Sequence, residues 1–145
     1  MWSSRGVFVT VLVLALAGLA PLSRGQTLET RKVPVEGGGR YTDVNASWLA
    51  RMLEKKDFPL INVHIPYEGD VAGTDLFIPF DQVEANLAKL PTNKNARLVL
   101  YCRSGSMSAI AARALVKRGY TDVWNLEGGM IAWKQAGYPL GQKGP

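Results

Sequence analysis

The amino-acid sequence predicts an α/β domain in which a parallel sheet is covered by helices on both faces. From Arg40 onward, short apolar segments typical of strands alternate with segments whose apolar residues recur at helical spacing. Proline and glycine residues separate most of these segments. The chain has 145 residues, of which 47% are hydrophobic and 20% charged, as is usual for one globular domain. Alternation of strands and helices favours parallel pairing.

The strands are predicted from short apolar runs bounded by turn residues. In chain order they are Arg40–Val44, Leu60–His64, Leu76–Ile78, Arg97–Tyr101 and Asp122–Asn125. The run that ends at Tyr101 is the most continuously apolar, which is typical of a strand buried on both faces. Residues 66–75 are rich in turn residues and are predicted to form a loop.

Two of the predicted helices begin at residues that cap helices well. Asn45 and Asp81 have short side chains that can accept a hydrogen bond from a backbone N–H group of the first turn. The apolar residues that follow at helical spacing are Trp48, Leu49, Met52 and Leu53 in the first helix, and Val83, Leu87 and Leu90 in the second.

Two further helices are predicted in the second half of the chain. Gly119 ends the first of them, and the other lies between Gly128-Gly129 and Gly137 and includes Trp133. The apolar face of the first is predicted to be Met107, Ile110, Ala111, Ala114 and Leu115.

The beginning of the chain has the pattern of a secretory signal peptide. Arg5 precedes an uncharged, mostly apolar stretch from Gly6 to Ser23, and small residues follow. We expect cleavage after Gly25, so that residues 1–25 form the signal peptide of an exported protein, either periplasmic or secreted. The alternative is an uncleaved anchor helix, because a stretch of this length is at the lower limit for crossing a bilayer. Only in that case do we expect membrane attachment.

The exported chain is predicted to consist of a flexible leader, a single domain and a short tail. Residues 26–39 form the leader because they are rich in proline and glycine and lack periodicity. Residues 40–140 form the domain, and residues 141–145 form the tail.

Several classes of site are excluded by composition. The chain has one cysteine and one histidine, so it can form neither an intrachain disulfide nor a four-ligand Cys/His zinc site. No acidic cluster suggests another metal. The net charge of +5 is spread along the chain without a Lys/Arg run, which argues against nucleic-acid binding. We expect no metal and no cofactor.

Cys102 is the candidate nucleophile because it ends the most apolar strand and starts a loop that leads into a helix. The helix dipole, inward-pointing N–H groups of the loop and the charge of Arg103 all favour a thiolate, which is the nucleophilic form of cysteine. Gly105 provides the backbone freedom that a tight loop needs. The alternative is a small, inert core residue at the end of a strand.

Two motifs resemble those of single-domain rhodaneses, which are sulfurtransferases. They are Cys102–Ser108 and Leu126–Pro139, in the order and spacing of that family. The resemblance implies a parallel sheet of about five strands. It also implies a persulfide on Cys102, formed with sulfur from thiosulfate, polysulfide or another persulfide and passed to cyanide or a thiol. The residues implied to bind the substrate are Arg103, Ser104, Gly105, Ser106, Met107 and Ser108.

The chain departs from the family pattern at three positions. Met107 replaces an arginine found in many active members, which favours donors less charged than thiosulfate. Asn62 and His64 stand where the family has Asp and Arg. His64 is interpreted either as a structural residue or as a base toward Cys102. Ser108 occupies the place of the phosphate-gripping arginine of cysteine phosphatases, which argues against phosphatase activity.

The sequence therefore predicts an exported rhodanese-type sulfurtransferase that acts on a small sulfur-containing anion with a thiol or cyanide acceptor. A partner protein that supplies or accepts sulfur is compatible with this prediction. The alternatives are a non-catalytic rhodanese-like module that binds a sulfur compound or a protein, and a thiol redox protein that uses Cys102 with an external thiol.

Overall fold

The computed structural model describes residues 27–142 and residue 144. Within these residues the chain forms eight strands, three α-helices and one 3-10 helix. They are β1 (Thr30–Pro34), β2 (Arg40–Val44), α1 (Ala46–Leu53), β3 (Leu60–Asn62), β4 (Asp70–Val71), β5 (Leu76–Phe77), the 3-10 helix (Glu84–Lys89), β6 (Leu98–Tyr101), α2 (Ser106–Lys117), β7 (Val123–Leu126), α3 (Gly129–Gln135) and β8 (Leu140–Gly141).

Six strands form one sheet in the order β1-β2-β7-β6-β3-β5. Every neighbouring pair is parallel except β1 and β2, which are antiparallel. One hydrophobic cluster joins α2 to one face of the sheet, and a second joins α1 and α3 to the other. The predicted fold class, a parallel sheet of about five strands with helices on both faces, is confirmed, and the antiparallel β1 is added at one edge. Strands β4 and β8 form a separate antiparallel pair, so the predicted tail begins inside a strand.

The expectation that residues 26–39 lack regular structure is wrong for Thr30–Pro34. These residues form β1, an edge strand that pairs with all five residues of β2. Four of its five residues are exposed, so the strand lacks the apolar alternation that reveals a half-buried strand. Pro34 is compatible with this position because a proline is tolerated on an edge strand.

The predicted cap at Asn45 is confirmed, whereas the predicted cap at Asp81 is wrong. The Asn45 side chain accepts a hydrogen bond of 2.9 Å from Trp48 N. The second helix is instead a 3-10 helix that follows Val83 and has no side-chain cap. Asn86 interrupts it with non-helical backbone angles (φ −115°, ψ 22°), so the segment is too irregular for an α-helix.

The buried face of α2 differs from the predicted apolar face at Ile110. That side chain is 51% exposed, although it lies at helical spacing from buried residues. The residues of α2 that pack against the sheet are Ser108, Ala111, Ala112, Leu115 and Val116. Small side chains at three of these positions let the helix backbone approach the strands, which turns the contact face away from Ile110.

The predicted signal peptide lies outside the described residues. Among residues 27–142 and 144, no helix is long and apolar enough to cross a membrane.

Candidate functional site

Cys102 directly follows β6, which lies between β3 and β7 in the sheet. The residue is only 1% exposed. Val63 N donates a hydrogen bond of 2.9 Å to Tyr101 O, which fixes the end of β6 against the chain that leaves β3. The cysteine therefore lies at the carboxyl edge of the parallel strands, where this class of sheet binds ligands.

Two hydrogen-bond donors point at the sulfur of Cys102. Gly105 N lies 3.0 Å from Sγ, and Ser108 Oγ lies 3.3 Å from it. Gly105 has a φ of +95° immediately before α2, a conformation that glycine adopts without steric strain. Because the first N–H groups of α2 also carry partial positive charge, this arrangement stabilises negative charge on the sulfur.

The beginning of α3 holds the cysteine loop from the other side. Met130 N donates to Cys102 O at 2.9 Å, and Ile131 N donates to Arg103 O at 3.0 Å. Gly129 has a φ of +55°, and a Cβ atom there would lie 2.3 Å from Cys102 O. The loop is thus held between the first turns of two helices, and glycine is required where they meet.

The other residues predicted to bind substrate lie around this loop with differing exposure. Ser104 and Ser106 are exposed, and their hydroxyl oxygens lie 2.9 Å apart. The Arg103 side chain is 61% exposed and points toward Glu68, with 3.8 Å between Arg103 Nε and Glu68 Oε2. Met107 is half-buried and packs against the core on the α2 side. Gly105 and Ser108 contact the sulfur itself, as described above.

His64 contacts a carboxylate near the loop. Its Nε2 atom is hydrogen-bonded to Glu68 Oε2, and its backbone N donates to Asn62 Oδ1 at 3.0 Å. Its Nδ1 atom is buried and has no hydrogen-bond partner among the described residues. The donors to the cysteine sulfur are Gly105 and Ser108, so the geometry favours the structural interpretation of His64 over a base.

Glu68 is a residue of this region that local sequence pattern does not predict. Glu68 lies in a segment predicted only as a loop, and its contacts depend on how that loop folds back over β3. The one available signal was an acidic residue four positions after the single histidine.

Asn62, the last residue of β3, belongs to a buried polar network that includes Asp70, Tyr101 and Thr74. Its Nδ2 atom donates to Asp70 Oδ1 at 3.0 Å, and Tyr101 OH donates to the same oxygen at 3.1 Å. Thr74 Oγ1 lies 2.7 Å from Tyr101 OH. Burial raises the pKa of the Tyr101 hydroxyl above its ordinary value, so the group stays protonated and able to donate. The network fixes β4 against the ends of β3 and β6.

The described residues contain no group of three or more His, Cys, Asp or Glu side chains that could hold a metal ion. A groove of about 680 Å³ lies beside α1 and α3, lined among others by Leu53, Trp133 and Tyr138. None of its lining residues belongs to the cysteine loop. The candidate site is therefore assigned from the chemistry at Cys102.

We predict that Ser108→Ala slows alkylation of Cys102 by iodoacetamide about threefold to tenfold near neutral pH, because one charge-assisted hydrogen bond to the thiolate is lost. The rate is measured by mass spectrometry, and the single cysteine makes the product unambiguous. Ser106→Ala is the control, since its hydroxyl is exposed and pairs with Ser104. Equal rates for the two variants would contradict a role for Ser108 at the sulfur.

Comparison with known proteins gives a consistent result. Residues 45–136 match the family model of the rhodanese-like domain. A sulfurtransferase of Allochromatium vinosum is 32% identical over 92 residues, which cover 62% of this chain and 84% of that protein. A probable adenylyltransferase/sulfurtransferase of Mycobacterium tuberculosis is 39% identical over 84 residues, 55% of this chain but only 21% of that protein. The crystal structure of a rhodanese-like domain protein from Staphylococcus aureus is 31% identical, with a TM-score of 0.58 over 70% of this chain and 98% of that one.

Proposed function

The chain belongs to the rhodanese-like domain family, and from this premise we propose that it is a sulfurtransferase that carries sulfane sulfur as a persulfide on Cys102. The observation that carries the proposal is the pair of donors at Sγ, Gly105 N at 3.0 Å and Ser108 Oγ at 3.3 Å. Donors in this position stabilise a thiolate before the reaction and a charged persulfide after it. Relatives named as sulfurtransferases support the same assignment.

The reaction needs no redox partner. The Cys102 thiolate attacks the outer sulfur of the donor, the S–S bond of the donor breaks, and the leaving group departs with the bonding electron pair. That leaving group is sulfite when the donor is thiosulfate and a thiolate when the donor is a persulfide. The outer sulfur of the Cys102 persulfide then passes to cyanide or a thiol, and the Cys102 thiolate is restored.

Among the possible donors, the site favours an organic persulfide of low charge over thiosulfate. Met107 places a half-buried apolar side chain where many active family members have an arginine. The Arg103 charge is paired with Glu68 across 3.8 Å. Because Arg103 is paired and position 107 carries no charge, a dianionic donor is weakly attracted.

We also propose export to the periplasm or the exterior, a proposal that the apolar N-terminal segment supports.

The test is sulfur loading of the reduced, purified protein that lacks residues 1–25. It is incubated separately with thiosulfate, polysulfide and the persulfide of N-acetylcysteine amide, and its intact mass is recorded. We expect a gain of one sulfur atom that cyanide or a thiol removes, at a higher rate with the persulfide of N-acetylcysteine amide than with thiosulfate. Cys102→Ser is the control and is expected to take up nothing. A folded, reduced wild type that gains no sulfur from any donor would overturn the proposal.

A second candidate function is a non-catalytic module that binds a sulfur compound or a protein. The observation that favours it is the 1% exposure of Cys102, which restricts access to the sulfur. This function predicts binding of a persulfide, measured by calorimetry, without any mass gain on Cys102.

A further inference from the structure

Glu68 is the one described residue whose carboxylate contacts two basic side chains next to the cysteine loop. Its Oε2 atom is hydrogen-bonded to His64 Nε2 and lies 3.8 Å from Arg103 Nε. His64 is nearly buried, whereas the Glu68 and Arg103 side chains are 43% and 61% exposed. The carboxylate therefore lies at the surface, in contact with the residue that directly follows Cys102, and not in the protein interior.

The ion pair between Arg103 and Glu68 can affect chemistry at the sulfur because Arg103 lies next to Cys102 in the chain. Arg103 immediately follows Cys102, and its backbone oxygen is fixed by Ile131 N at 3.0 Å. A free guanidinium here attracts anions toward the sulfur, whereas a guanidinium paired with a carboxylate has little net field at a distance. Met107, on the first turn of α2, adds an apolar side chain and no charge.

We propose that Glu68 is a specificity-determining residue that makes Cys102 discriminate against anionic reactants. By neutralising Arg103, Glu68 favours sulfur donors whose carrier is uncharged, such as persulfides of neutral thiols, over thiosulfate and carboxylate-bearing persulfides. The choice of donor rests on the proposed function. The charge preference itself is a property of the thiolate that can be measured without any sulfur transfer.

The first experiment compares two alkylating reagents that differ by one charge. Iodoacetamide is neutral and iodoacetate is anionic, and each forms one S–C bond to Cys102 with loss of iodide. We expect Glu68→Gln to raise the rate with iodoacetate about threefold relative to iodoacetamide at low salt, and added salt to reduce this gain. Glutamine retains an oxygen that can accept from His64, so the local contact is preserved.

Two further variants separate a local effect from a change in net charge. Glu84→Gln removes the same charge from an exposed ion pair with Arg118, just past the far end of α2, and is expected to leave the ratio of the two rates unchanged. Combining Glu68→Gln with Arg103→Gln is expected to reverse the gain, because the freed guanidinium is its source. An unchanged ratio in Glu68→Gln, or an equal gain in Glu84→Gln, would overturn the inference.

The second experiment uses matched sulfur donors. The persulfides of N-acetylcysteine and of its amide differ only in one carboxylate. The wild type is expected to load sulfur faster from the amide, and Glu68→Gln is expected to narrow that difference by about threefold and to speed loading from thiosulfate. If no donor loads the wild type but the alkylation ratio changes as expected, the proposed function fails and the charge preference stands. If sulfur loads equally from both persulfides and the alkylation ratio is unchanged, only the role of Glu68 fails.

Discussion

Gly129→Ala is expected to destabilise the folded domain by about 3 kcal/mol or more and to abolish rapid reaction at Cys102. The alanine Cβ would lie 2.3 Å from Cys102 O and 2.6 Å from Arg103 O, both of them backbone atoms that cannot rotate away. The residue also has a φ of +55°, which costs a residue with a Cβ further energy. The domain can relieve the clash only by separating the beginning of α3 from the cysteine loop.

A second glycine in the chain, Gly119, provides a matched control for this prediction. Gly119 has a φ of +93°, and a Cβ there would have no atom within 4 Å. Gly119→Ala therefore incurs the cost of positive φ without the clash. Unfolding in urea gives the free energy of each variant, and alkylation by iodoacetamide reports on the loop. If the two variants lose the same stability and react at the same rate, close packing at Gly129 is not what holds the loop.

The sequence predicts those features of the site that depend on local pattern. The apolar run before Cys102 identifies a central strand, and the donor-rich residues after it predict a loop that leads into a helix. Gly105 and Ser108 both belong to the segment Cys102–Ser108 that is predicted to surround the sulfur, and in the structure both contact it. Local periodicity and spacing are enough for this part because strand, loop and helix are consecutive in the chain.

The features that the sequence did not predict depend on contacts between distant segments. Glu68 meets Arg103 only because the loop after β3 comes into contact with the loop after β6. The steric demand at Gly129 arises from a loop more than twenty residues earlier, although the sequence does predict a turn there. Ile110 has helical spacing, but spacing alone does not determine which side of α2 rests on the sheet.

Asn62 shows how one such contact explains a departure from the family pattern. The family resemblance implies an aspartate at this position, and this chain has an asparagine whose amide donates to Gly69 O and to Asp70 Oδ1, both at 3.0 Å. Asp70 also accepts from Tyr67 OH and Tyr101 OH. A second carboxylate beside Asp70 would face it at hydrogen-bond distance with no proton between them.

Asn62→Asp is therefore expected to destabilise the domain by about 2 to 4 kcal/mol at neutral pH, since it buries a second negative charge and removes a donor. Repulsion raises the pKa of the introduced carboxyl in the folded state above its unfolded value of about 4. Because the folded-state pKa is the higher of the two, the loss of stability grows as pH rises from the unfolded pKa of about 4 toward the folded-state pKa, and it shrinks as pH falls back toward the unfolded pKa. Urea unfolding at several pH values measures this dependence.

Two companion variants make the origin of that loss visible. Asn93→Asp adds the same charge at an exposed position where the side-chain oxygen accepts from Asn95 N, a bond that aspartate retains, and it is expected to cost little at any pH. Combining Asn62→Asp with Asp70→Asn exchanges carboxylate and amide across the same 3.0 Å contact and is expected to recover most of the lost stability. If the exchanged pair is no more stable than Asn62→Asp alone, the loss does not come from repulsion between the two carboxylates. Recovery would mean that Asp70 is the reason an amide is needed at position 62. The two residues are eight positions apart, and the turn into β4 brings them into contact.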